Sequence, residues 1–149
     1  MIGIKNSGIV LALYLLLATP IATAQAQTKE SAHGFLASVI NKGATREYDS
    51  NPYVSYVGSN CNSQLVAVGR RDRKQWQVDI DWSSVSAVEM IGDHKEHDSL
   101  VIVKGAIVRS GEVTQYAWFW ADSKAMAERF GKALEFLRVQ CDKTKQFGF

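Results

Sequence analysis

Within thirty residues, Glu112 to Cys141, the hydrophobic period of the chain changes from two to that of a helix. That switch restricts the fold more than any other feature of the sequence. Val113 to Ala121 alternates as a strand. Tyr116, Trp118 and Trp120 take one face; Val113, Ala117, Phe119 and Ala121 take the other. Both faces are apolar, so the expectation is a strand covered on both sides, with its aromatics packed in the core or at a sheet edge. Asp122 and Ser123 offer capping oxygens, and Met126, Phe130, Ala133, Leu134, Leu137 and Cys141 then recur at helical spacing. The predicted helix ends near Cys141 and turns its thiol toward the sheet.

Two cysteines occur, Cys61 and Cys141, eighty positions apart. In an oxidising compartment they form one internal disulfide, worth about 4–5 kcal/mol on a chain-entropy account. Their spacing does not suit zinc, which needs clustered ligands. An oxidising destination agrees with the start of the chain. Lys5, the apolar run Ile9–Ala18, Pro20 and small residues at 22–26 read as a secretory signal peptide covering residues 1–26. Ten apolar residues are too few to span about 30 Å of hydrocarbon, so no stable membrane anchor is expected after cleavage. Residues 27–149 then fit a single α+β domain. The leader takes only one of the 17 basic residues and none of the 15 acidic ones, so the remainder is almost neutral. That excludes a globally basic nucleic-acid binder.

In the mature part, Thr28–Lys42 reads as a first helix on Ala32, Phe35, Leu36, Val39 and Ile40, with Gly43 ending it. Ala44–Asn62 reads as a long loop with a short edge strand at Tyr53–Val57. Gln64–Arg70 is a strand, Arg70–Lys74 a basic hairpin tip, and Gln75–Trp82 a half-exposed strand. Its Trp76, Val78, Ile80 and Trp82 face inward. Ser83-Ser84 is expected to turn the chain into a strand at Val85–Ile91. Leu100–Val108 follows, and Ser110-Gly111 makes the last hairpin.

The order is one helix, five or six antiparallel strands, and a closing helix: an α+β fold with a curved sheet or partly open barrel. In topology alone it resembles the pleckstrin-homology-like architecture. A sheet wrapped on one helix, as in cystatin-like folds, is the alternative. Neither likeness carries functional residues over.

Three clusters carry candidate chemistry. Arg70, Arg71 and Arg73, with Lys74, place four cations at one turn, suited to an acidic surface or a phosphate. Together with Tyr53, Tyr56 and Trp82 they form the predicted partner-binding set. His94 and His97, among the carboxylates of residues 93–98, are weak metal candidates; a solvated hairpin tip is the simpler reading. Asp79 and Asp81 share a strand face without an accompanying nucleophile. No G-x-S-x-G, P-loop or dinucleotide fingerprint occurs. His33 reads as incidental. The expectation is therefore a non-enzymatic exported binding module, periplasmic or secreted, inhibitor-like or immunity-like, acting on a protein partner in the envelope without a cofactor. A carrier of a small apolar ligand or lipid headgroup, and a metal-dependent hydrolase, are the alternatives.

Overall fold

The structure is a computed structural model that describes residues 27–47, 51–94 and 98–144, and for 92–94 and 98 the backbone alone. The expected leader at 1–26 and His97 lie outside the described residues, as does the His94 side chain.

The first helix, α1 (Lys29–Ile40), begins on a reciprocal cap: Thr28 Oγ1 accepts the Ser31 amide at 3.1 Å, and Ser31 Oγ accepts the Thr28 amide at 2.9 Å. Gly43, at φ +73°, closes it by donating to Ile40 O, the conformation glycine adopts without a Cβ penalty. Six strands follow: β1 (Thr45–Arg46), β2 (Tyr53–Ser59), β3 (Asn62–Val68), β4 (Gln75–His94), β5 (Asp98–Arg109) and β6 (Glu112–Ala121); α2 (Lys124–Cys141) closes the chain. The strands form one antiparallel sheet in the order β1-β6-β5-β4-β3-β2. The sheet curls until its two sides meet. Tyr53 of β2 donates its hydroxyl to Trp118 O of β6 at 3.1 Å, and its ring stacks on Phe119 at 5.1 Å. Phe130 of α2 packs on the same Phe119 at 5.2 Å, so strand and helix cores are continuous.

Three sequence expectations need correction. The segment expected as a long loop also holds β1, and β2 runs two residues past the edge strand expected at Tyr53–Val57. A β-bulge at Val54 lets Tyr53 and Tyr56, three residues apart, both face inward, and this odd spacing hides the strand's alternation. Ser83-Ser84 does not reverse the chain: 75–94 is one long, bent strand. Register shifts between Ile80 and Val85, and again to Ala87, take up the bend. There Asp81 Oδ1 accepts the Ser83 amide at 2.9 Å and its hydroxyl at 2.7 Å, while Ser84 Oγ donates to Asp81 O at 2.7 Å. The serines serve the bend and make no turn. Finally, β6 is not covered on both sides. Ala117, Phe119 and Ala121 are buried, whereas Tyr116 is 41% exposed and Trp118 and Trp120 are half-buried on the outer face.

The disulfide is as expected. Cys61, in the β2–β3 turn, joins Cys141, the last residue of α2, with 5.6 Å between the Cα atoms. Such a pair is compatible with an oxidising compartment. Among the described residues no helix is long and apolar enough to cross a membrane.

Candidate functional site

The β3–β4 hairpin tip carries the basic cluster that the sequence singled out. Its backbone is fixed from several sides. Gly69 N–H donates to Lys74 O at 2.8 Å and Arg73 N–H to Gly69 O at 3.1 Å. Asp72 Oδ1 accepts the Lys74 amide at 3.1 Å, the local bond for which Asp is favoured in turns. A Cβ on residue 69 would lie 2.2 Å from Asp72 Oδ1, so Gly69 is what lets that carboxylate fold back. Asn51 Oδ1 accepts the Arg70 amide at 3.1 Å, and Pro52 O accepts the Val68 amide at 3.0 Å, tying the tip to the chain before β2. Arg73 is held at φ +58°, a region costly for a residue with a Cβ.

Arg70, Arg71, Arg73 and Lys74 are all exposed. Asp72 pairs with Lys74 at 3.9 Å, a surface contact worth little. No ion pair among the described residues engages Arg70, Arg71 or Arg73. Four cations against Asp72 leave about three positive charges at the tip, while the whole chain nets only +2. The rest of the chain therefore nets about −1, so this turn holds a local excess of positive charge.

Below the tip, a buried carboxylate braces the same end of the sheet. Glu47, 1% exposed, pairs through Oε1 with Arg109 of β5 and accepts Trp76 Nε1–H of β4 on Oε2 at 2.8 Å. Burial lowers the Arg109 pKa from its ordinary value. Nothing in the sequence marked Glu47, because its partners are 29 and 62 residues away.

The aromatic half of the predicted binding set is not on the surface. Tyr53 and Trp82 are 0% and 1% exposed, and Tyr56 is 4% exposed. All three belong to the core, so Arg70, Arg71 and Arg73 stand without them. Tyr56 and Trp82 have another task. Trp82 Nε1–H donates to Ser63 Oγ at 2.8 Å, Ser63 Oγ lies 2.8 Å from Tyr56 OH, and Tyr56 OH lies 2.7 Å from His33 Nδ1. His33 Nε2 lies 3.0 Å from Asn60 O. The indole only donates and the carbonyl only accepts, so the two ends fix the outer directions and Nε2 carries a proton. His33, read from the sequence as incidental, thus pins α1 to β2 through a continuous hydrogen-bonded chain. A Cβ at residue 58 would sit 2.1 Å from His33 Nδ1, so Gly58 makes the space for it.

Asp79 accepts from Gln64 at 3.1 Å and from Gln77 at 2.8 Å, in a solvated amide–carboxylate cluster with no nucleophile beside it. Among the described residues no three His, Cys, Asp or Glu side chains gather as metal ligands. A further groove, about 600 Å³, lies between α2 and β4, with Val88, Met90, Phe136 and Val139 in its walls. Compared with known proteins, the chain matches no protein-family model and no curated protein.

Proposed function

We propose that residues 27–149 form a single exported, non-enzymatic binding module, periplasmic or secreted once residues 1–26 are removed. It acts, as an inhibitor or immunity-type protein would, on an acidic surface of a protein partner in the cell envelope. The observation that carries this reading is the rigid hairpin tip with three exposed arginines that no described carboxylate neutralises. Guanidinium groups bind carboxylates bidentately and lose little hydration in doing so, which suits them to anchor a partner. A tip already held by Asn51, Asp72 and Gly69 loses little further freedom on binding.

The test is capture from an envelope extract on immobilised mature protein. Wild type is expected to retain a partner at low salt and release it as salt screens the contact. An Arg71→Ala/Arg73→Ala variant, folded by circular dichroism, is expected to retain it at least about tenfold more weakly, the loss of one or two anchors. Equal retention by the variant contradicts the reading.

The α2–β4 groove favours a second reading, a carrier of a small apolar ligand. Native mass spectrometry of protein purified without detergent is expected, on that reading, to show a bound mass that Val88→Trp displaces. The mass of the bare chain alone contradicts it.

A further inference from the structure

We propose that the open edge of β2 is a docking site for one extended peptide strand of a partner protein. The strand would lie in the groove between β2 and α1 and add a seventh strand to the sheet. This surface is distinct from the arginine tip, and the inference does not depend on that tip.

Among the described residues β2 ends the sheet order and pairs with β3; Pro52, just before it, bridges Arg46 of β1, so the open stretch of this edge lies toward Gly58. Backbone groups of a strand alternate between its two sides. The Tyr56 amide points away from β3, because Asn41 Oδ1 caps it at 2.9 Å. Two residues on, Gly58 therefore presents its N–H and C=O to the same open side. No turn, cap or side-chain hydrogen bond among the described residues involves Gly58. Natural edges are blunted by charge or proline. β2 reads YVSYVGS and holds neither; its guards are the bulge at Val54 and the Asn41 cap. Its outward side chains Val54 and Val57 are 45% and 66% exposed.

The space beside this edge is shaped. A groove of about 550 Å³ is walled by Tyr56–Asn60 on one side and by Glu30, His33, Gly34 and Ala37 on the other. Those four helical positions, at i, i+3, i+4 and i+7, form one side of α1. Two of them are small, which permits close backbone approach, and a Cβ on Gly34 would meet nothing within 4 Å. Among the described residues, the sheet edges a second folded copy offers are β1, two residues long, and its own β2 with α1 alongside. The groove therefore suits a bare strand better than a folded edge. Main-chain bonds to Gly58 would supply affinity, as in strand addition generally. Val54 and Val57 favour β-branched residues on the outer face of the added strand, and Glu30 favours a Lys or Arg at its end of the groove.

The probe is a phage-displayed library of linear twelve-residue peptides, selected on the disulfide-intact mature protein. The expected result is enrichment of sequences with alternating Val, Ile or Thr and one basic residue. A synthetic copy of the enriched peptide is expected to bind at least tenfold more weakly to Gly34→Trp, whose side chain fills the groove without touching the core. It should bind equally well to Arg71→Ala/Arg73→Ala. On binding, the Gly58 amide should become protected from hydrogen exchange in a ¹H–¹⁵N experiment. No enrichment, equal binding by a folded Gly34→Trp, or an unprotected Gly58 amide overturns the proposal. So does a wild-type dimer in sedimentation that Gly34→Trp dissolves, which would make a second copy the occupant.

Discussion

A methyl group on residue 105 would lie 2.6 Å from Ser84 O and 2.9 Å from Val85 Cα, inside backbone atoms that cannot swing aside. Gly105 is where β5 passes under the bend of β4. Gly105→Ala is therefore expected to destabilise by about 1–3 kcal/mol, the cost of overpacking. Gly34→Ala, in open space on a helix, is expected to be neutral or to gain up to about 1 kcal/mol. Urea midpoints of the two variants at equal slope check the contrast; equal midpoints contradict it. The buried tyrosines give a second residue-scale prediction. Burial pushes the phenols of Tyr53 and Tyr56 well above their ordinary value of 10. Both stay protonated in the fold, whereas in the unfolded chain they ionise near pH 10. Their contribution is complete below that pH and is lost above it, by up to about 1.4 kcal/mol per pH unit for each. Stability should be level in this respect up to about pH 9 and then fall. Tyr53→Phe should roughly halve the alkaline slope, and slopes that remain parallel would contradict the assignment.

Among the elements, those with an unbroken period were legible in the sequence. Phe130, Ala133, Leu134, Leu137 and Cys141 are buried on α2 as their spacing requires, Met126 is half-buried, and Ser123 caps the helix, accepting the Met126 amide at 3.2 Å. Val78, Ile80 and Trp82 point inward on β4 as their alternation requires. What failed to show were elements whose period is interrupted. The bulge at Val54 made β2 look shorter than it is, and the register shifts near Val85 made one bent strand look like two. The arginine tip was legible because charge in a turn needs no tertiary knowledge. The roles of Glu47 and His33 were not, because their partners are distant in sequence. The Glu47–Arg109 contact that braces β5 beneath the tip is itself testable. Arg109→Met leaves a buried carboxylate with only the Trp76 N–H, at an expected cost of about 2–4 kcal/mol in chemical unfolding. A loss below about 0.5 kcal/mol would place the pair among surface contacts instead.

At the scale of the molecule, two closures hold the fold. Tyr53 and the ring stack on Phe119 bring the two sides of the sheet together around the core. The bond between Cys61 and Cys141 fixes the far end of α2 to the β2–β3 turn, across 80 residues. That turn also supplies the Asn60 carbonyl to His33, so α1, α2 and β2 meet at one corner. The arginine tip extends from a hairpin braced by Glu47 and by the chain before β2, and its charge acts from a fixed position. The most direct measurement of this account is a thiol titration in denaturant without reductant, paired with thermal melts of wild type and Cys61→Ala/Cys141→Ala. No free thiol is expected before reduction, two after it, and a melting temperature roughly 15 °C lower in the variant, matching about 4 kcal/mol. Two free thiols in the unreduced protein, or a melt indifferent to the loss of both cysteines, would contradict it.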